Sequence, residues 1–213
     1  MPDKLRIAID AGHGGRDPGA CFQDLKEAVL NERIADRIGH YVRLAGHESV
    51  FTRSTTLIMR GAKAVREQCD AFVSIHVNAF TNPLARGTEM FVRSGDKRSR
   101  QIAERILRSM ILLWISHPEP GNAPHWASRG VKNDTDSQHK GGLAVLKGTW
   151  SHMPAMLWEV AFITNPNDRQ LLTNRFFVER ISCEFANALL VQLDLPTGGL
   201  NHRPLSTSSS RGC

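Results

Sequence analysis

The sequence contains no apolar run long enough to cross a membrane. Its longest apolar stretch, Met110 to Ile115, is far shorter than the roughly 18 residues that a transmembrane helix needs. The N-terminus, MPDKLRIAID, also lacks the apolar segment and the small-residue cleavage site of a signal peptide. We therefore expect no membrane insertion. We also expect either synthesis without a leader, with a cytoplasmic location until release, or a leader that has already been removed.

Cysteine is scarce, and its spacing is uninformative. The four cysteines form no CxxC pair and follow no metal-ligand pattern: Cys21, Cys69, Cys183 and Cys213. We expect them to be unpaired thiols of a reducing compartment.

Aromatic residues make up only 7% of the chain, and the basic residues form no arginine-rich arm. Both absences argue against nucleic acid as a partner. The formal net charge of +6 and the isoelectric point near 9.5 nevertheless favour attraction to an anionic polymer. A solvated basic surface and an anionic partner such as cell wall both remain open on charge alone.

What the sequence does contain is an alternation of strand and helix patterns, which predicts an α/β fold. We expect a mostly parallel twisted sheet with helices on both faces, in a single domain. Predicted strands cover 5–10, 47–53, 71–79, 88–93, 143–147 and 154–164. Predicted helices cover 27–45, 55–70 and 97–114, with one beginning after Asn165 and a last one with an apolar stripe from Phe177 to Leu193.

The domain boundaries follow from composition. Residues 117–142 are rich in Pro, Gly, Asn, Asp and Ser and have no periodicity, so we expect an irregular excursion there. Residues 1–195 form the expected catalytic domain. Residues 196–213 have little apolar content, and we expect a disordered tail.

Three polar side chains lie at or near the carboxyl ends of predicted strands, where α/β sheets form their sites. His13 follows the first strand in IAIDAGHGG, His76 is near the end of the third in FVSIHVNAF, and Glu159 lies within the apolar strand AMLWEVAFIT. A parallel register would bring them to one edge of the sheet. Imidazoles and carboxylates that converge in a cleft are typical zinc ligands.

Other interpretations account for each residue alone. A histidine after a strand is usually a hydrogen-bonded structural residue, and Glu159 could be an ion-pair partner, although burying a carboxylate is costly. The GHGG turn could cradle a phosphate, but it lacks both the Walker lysine pattern and the GxGxxG spacing. The joint placement of the three residues favours a metal site.

Six sequence blocks together resemble the zinc-dependent N-acetylmuramoyl-L-alanine amidases of the amidase 3 family. In order, these blocks are IAIDAGHGGRDPGA, LKEAVLNERIA, SIHVNAF, RGVK, LAVLKGT and MPAMLWEVAFITNPND. The resemblance implies that His13, Glu27 and His76 bind Zn²⁺ and that Glu159 is the catalytic carboxylate. Without it, Glu27 reads as an acidic residue in the first turn of a helix, with Glu32 as a nearby alternative.

The resemblance also implies a reaction and a substrate. A peptidoglycan hydrolase of this family would cleave the amide between N-acetylmuramic acid and L-alanine, using zinc-activated water with Glu159 as the general base. We expect a monomer that acts on peptidoglycan in the periplasm or outside the cell, as a phage lysin or a bacterial amidase. A zinc peptidase of stem peptides and a non-catalytic wall-binding relative are the alternatives.

The resemblance is incomplete between the second and third strands. The family usually has an Asp soon after "TR" and an "AN" before the third strand, and TRSTTLIMRGAKAVREQCDAF lacks both. We expect this departure to affect local packing. We further expect Asp10 or Asn78 to orient a metal ligand by contacting it on the side that does not face the metal.

Overall fold

The computed structural model describes residues 4–53, 56–116, 126–139 and 141–194. The expected tail, 196–213, lies outside them. No helix in these ranges is long and apolar enough to cross a membrane. The strands are β1 (Arg6–Ala11), β2 (Cys21–Phe22), β3 (Leu25–Lys26), β4 (Glu48–Phe51), β5 (Ala71–Asn78), β6 (Thr88–Val92), β7 (Ser128–Asn133) and β8 (Ala155–Phe162). The helices are α1 (Glu27–Leu44), α2 (Leu57–Arg66), α3 (Lys97–Ser116), α4 (Ala144–Lys147), α5 (Pro166–Thr173) and α6 (Arg175–Asp194).

Six strands form one sheet in the order β4-β1-β5-β8-β6-β7, and β2 pairs with β3 in a separate short ribbon. Neighbours in the large sheet are parallel, except that β6 pairs antiparallel with β8. Helices α1, α3 and α6 pack on one face, while α2 and α4 pack on the other. The predicted α/β fold, with its mostly parallel sheet in a single domain, is confirmed.

The two faces of the sheet are covered unequally. The core beneath α1, α3 and α6 is large, whereas the core beneath α2 and α4 is small. On that second face, apolar residues such as Phe72 and Leu157 lie in the first half of their strands. Two residues further along, the same face of these strands carries the polar residues Ser74 and Glu159 instead. Since alternate residues share a face, the carboxyl half of this face is polar.

The structure differs from the predictions in two segments. LAVLK forms the short helix α4 rather than a strand, because a short apolar run fits a buried turn of helix as well as a strand. The predicted irregular excursion contains β7 and a 3₁₀ turn at Asp134–Asp136. Strand β7 is at the edge of the sheet and only partly buried, so its sequence lacks the apolar pattern of an interior strand.

The prediction for the cysteines is also partly wrong. Cys21 and Cys69 are free thiols, but Cys183 is disulfide-bonded. Spacing along the chain does not predict which distant cysteines folding brings together.

Candidate active site

His13 lies in the tight turn that ends β1. The backbone N–H of Gly12 still donates to the Ile75 carbonyl at 2.9 Å, which continues the pairing of β1 with β5. The chain then reverses, and His13 itself adopts a positive φ of 63°. Its ring Nδ1 lies 2.8 Å from Oδ2 of Asp17, so the other ring nitrogen, Nε2, is left to face Glu27.

Glu27 is the first residue of α1 and is buried. Its backbone N–H donates to the Ala20 carbonyl at 2.8 Å, which holds the start of the helix against the preceding ribbon. One carboxylate oxygen, Oε2, accepts the Ala20 N–H at 2.9 Å. The other, Oε1, accepts the Val77 N–H at 3.2 Å and lies 3.2 Å from His13 Nε2 and 3.0 Å from His76 Nδ1.

His76 lies near the end of β5 and packs directly against Gly12. A Cβ at Gly12 would overlap the His76 ring, so only glycine permits this approach. The rings of His13 and His76 meet edge to face, with centroids 5.0 Å apart. The structure therefore brings one donor atom from each of His13, Glu27 and His76 within 4.8 Å of one another.

Hydrogen bonds within this cluster shift the pKa values of its members. Burial opposes ionisation of Glu27, but hydrogen bonds from His13 and His76 outweigh it and hold its pKa below the usual range. The hydrogen bond to Glu27 raises the pKa of His13 to about 9, against the opposing effect of burial. A cation at the centre of the cluster would take over the role of these shared protons.

Glu159 lies beside the cluster, in register with His76 on the neighbouring strand β8. The residue is only partly buried, yet its Oε2 is buried and has no hydrogen-bond partner among the described residues. Burial raises the pKa of Glu159 to about 7, and the nearby carboxylates of Glu27 and Glu89 add to this effect. Such a carboxyl group can both accept and donate a proton near neutral pH.

A buried ion pair between Asp10 and Arg60 stabilises the turn that contains His13. Asp10 Oδ1 lies 3.0 Å from Arg60 Nη1, and Asp10 Oδ2 accepts from the Ser74 hydroxyl at 2.8 Å. The Arg60 guanidinium also donates to two backbone carbonyls, those of Ala11 and His13. Arg60 comes from α2, within the segment that departs from the family pattern, and thereby connects that helix to the turn.

The expected positioning residues are wrong in part. Asp10 reaches the site through Arg60 rather than through a ligand, and the Asn78 amide donates to Glu89 at 2.9 Å. Asp17 contacts His13 instead. The sequence signal for it was available, because Asp17 follows His13 by four residues in the same glycine-rich turn. Glu32 is exposed and pairs with Arg53 at 3.0 Å, away from the cluster.

The remaining histidines of the described residues do not join the cluster. His139 and His152 are exposed, and His117, His125 and His202 lie outside the described ranges.

This combination defines a class of protein: an α/β sheet whose parallel strands end at a histidine-glutamate-histidine cluster suited to a metal ion, with a protonatable carboxyl group beside it. Residues 7–190 match the family model described as N-acetylmuramoyl-L-alanine amidase. The chain belongs to this family, which confirms the resemblance seen in the sequence.

Individual relatives agree with the family match. The chain is 31% identical to the uncharacterized protein YqiI of Bacillus subtilis, over 86% of this chain and 82% of that protein. It is also 31% identical to the N-acetylmuramoyl-L-alanine amidase LytC of the same bacterium, over 82% of this chain but only 32% of LytC. Its structure resembles the amidase AmiC2 of Nostoc punctiforme with a TM-score of 0.75 at 28% identity, covering 91% of this chain and 99% of that one.

The buried Asp10–Arg60 pair leads to a first prediction. Arg60→Met should lower the free energy of unfolding by about 3–5 kcal/mol, because it leaves the Asp10 carboxylate buried without its cation. Urea unfolding measures the change. Arg53→Met is the matched control, since the ion pairs of Arg53 with Glu32 and Asp36 are exposed, and the loss in this variant should be below about 1 kcal/mol. Equal losses in both variants would show that the buried Asp10–Arg60 pair stabilises the fold no more than an exposed ion pair does.

A second prediction concerns the burial of Glu159. Its pKa rises from 4.5 to about 7 on folding, so the folded state binds more protons between these values and wild-type stability falls as pH rises through this window. Glu159→Gln removes this cost. In metal-free protein it should be more stable than the wild type by about 1–3 kcal/mol at pH 8, and the gain should vanish below pH 4.5.

Urea unfolding at several pH values, with a chelator present, measures this difference. Glu104→Gln is the control, because Glu104 is exposed and its ion pair with Arg100, at 3.6 Å, lies on the surface. A gain for Glu159→Gln that does not depend on pH would show that desolvation of the carboxylate is not its cause.

Proposed function

We propose that this protein is a zinc-dependent N-acetylmuramoyl-L-alanine amidase, which hydrolyses the amide between N-acetylmuramic acid and L-alanine in peptidoglycan. The observation that carries the proposal is the convergence of His13, Glu27 and His76 beside Glu159. The net charge of +6 suits a carboxylate-rich wall polymer. The expected monomeric state and the domain limits stay predictions.

The three donor side chains fit Zn²⁺. Two imidazole nitrogens and one carboxylate oxygen are a usual catalytic set, which leaves a fourth position for water or substrate. Glu27 Oε1 lies 3.2 Å from His13 Nε2 and 3.0 Å from His76 Nδ1, and all three donor atoms lie within 4.8 Å of one another, so a single cation could contact all of them. Zinc at such a site lowers the pKa of its water to about 7 and polarises a carbonyl.

Each side chain then has a distinct role. His13 and His76 would hold zinc through Nε2 and Nδ1, and Glu27 would hold it through Oε1. Asp17 keeps His13 in the tautomer that frees Nε2, by accepting from Nδ1. Glu159 takes a proton from the attacking water at its carboxylate and gives it to the departing L-alanine amine.

The ligand assignment predicts the effect of removing one imidazole. His76→Ala should lose most of its bound zinc and its activity, because only two protein ligands remain. Metal content after dialysis, measured by atomic emission, tests this directly. His152→Ala, which changes an exposed histidine, should retain zinc. Full activity of the wild type after exhaustive chelation would refute the zinc assignment.

The role of Glu159 is separable from that of a ligand. Glu159→Gln keeps the shape of the side chain but cannot accept a proton, so zinc occupancy should stay near that of the wild type while turnover falls about 10²–10⁴-fold. Glu32→Gln on α1 is the control, and it should change neither quantity. Loss of zinc from Glu159→Gln would instead make Glu159 a ligand.

The products identify the reaction. Mass spectrometry of digested peptidoglycan should reveal stem peptides with a free N-terminal L-alanine. Cleavage within the stems would support a peptidase instead, and binding without products would support a wall-binding protein.

A further inference from the structure

A row of charged side chains crosses the sheet beyond Glu159. In register across neighbouring strands, His76 is opposite Glu159 and Glu159 is opposite Glu89 on β6. Residues directly opposite one another project from the same face of a sheet, with Cβ atoms about 5 Å apart. The row therefore continues from the candidate metal centre toward the sheet edge.

Strand β7 extends this row with two cations. The pairing of β6 with β7 is irregular between Thr88 and Met90, so a bulge lies opposite Glu89. Gly130, with a φ of 82°, permits it. Bulges redirect side chains, and here both Arg129 Nε and Lys132 Nζ lie 2.6 Å from the same oxygen, Oε2 of Glu89.

One of these cations is in excess. Glu89 is buried and carries a single negative charge, and its other oxygen accepts from Asn78. One cation is enough to neutralise it, so Arg129, Lys132 and Glu89 together carry a formal charge of +1. The side chains of Arg129 and Lys132 are 36% and 32% exposed, which leaves them accessible to a ligand.

Arg129 is the better placed of the two to bind an anion. Its guanidinium carbon lies 4.9 Å from the centre of the Phe162 ring, and its Nε is occupied by Glu89. Among the described residues, its Nη1 and Nη2 groups have no hydrogen-bond partner. A guanidinium that is held at Nε, with both Nη groups available, can bind a carboxylate through two parallel hydrogen bonds.

We propose that Arg129, positioned by Glu89 and Phe162, determines specificity by binding a carboxylate of the peptidoglycan stem peptide. This inference rests on the proposed amidase function. The lactyl carboxyl group of N-acetylmuramic acid is consumed in the amide that is cleaved, so the nearby free carboxylate must come from the peptide. Because the Arg129 guanidinium lies against Glu89 on β6, it is one strand spacing, about 5 Å, from β8, a distance that about two extended residues span.

The test compares two muramoyl peptides that are identical except for the carboxylate nearest the L-alanine, which is free in one and a carboxamide in the other. The wild type should cleave the carboxylate substrate with a kcat/KM about tenfold or more above that of the carboxamide, mainly through KM. Arg129→Gln should lower kcat/KM on the carboxylate substrate to the carboxamide level and leave the carboxamide unaffected. Arg129→Lys should recover only part of the preference.

Lys132 still neutralises Glu89 in Arg129→Gln, so this variant should fold, as its circular dichroism and Tm can verify. Arg66→Gln is the matched control, because Arg66 is 65% exposed at the far end of α2. Equal losses on both substrates, or no preference in the wild type, would overturn the proposal. The proposal would also be overturned, in favour of a phosphate site, if Arg129→Gln lost activity only on cell walls rich in polymeric phosphate.

A binding measurement separates this inference from the amidase function. Calorimetry with the free stem peptide, in carboxylate and carboxamide forms, requires no turnover. If the wild type releases no L-alanine amine but binds the carboxylate form through Arg129, the amidase function fails and the carboxylate site remains. If the wild type is an active amidase and Arg129→Gln binds both forms as the wild type does, the inference alone fails.

Discussion

The rest of the site depends on one buried carboxylate, that of Glu27. An ionised carboxylate is costly to remove from water unless its oxygens are hydrogen-bonded or paired. Glu27 meets this condition with two backbone N–H groups and two imidazoles, which come from the β1 turn, the following ribbon and β5. The start of α1 at this residue is therefore part of the site, because any shift of the helix would separate the carboxylate from all four partners.

The site also depends on a division along the strands of one sheet face. Their first halves carry apolar residues under α2 and α4, and their second halves carry polar ones. Extending the apolar half would increase the buried area and the stability, but it would remove the row that contains Ser74 and Glu159. The raised pKa of Glu159 indicates the cost of this arrangement, as is common where function requires a partly desolvated charge.

Sequence reasoning reached His13, His76 and Glu159 because the carboxyl ends of parallel strands meet at one edge, a rule that needs only strand positions. Glu27 was accessible only through the family resemblance, since nothing in its helix pattern separates it from Glu32. Arg60 was not predicted, because its partners, the Asp10 carboxylate and two backbone carbonyls, become its neighbours only in the folded chain. Strand β7 was missed for a related reason: it is an edge strand with little apolar content.

The reversed direction of β6 determines how far the site extends. In a fully parallel sheet, the amino-terminal end of β6 would lie beside the amino-terminal half of β8. Because β6 is antiparallel to β8, the amino-terminal end of β6 lies at the carboxyl half of its neighbour, which places Glu89 beside Glu159. Strand β7 follows the same direction and supplies Arg129 and Lys132. Charged side chains on an edge strand also discourage pairing with another chain, so the residues that extend the row toward solvent protect the sheet edge as well.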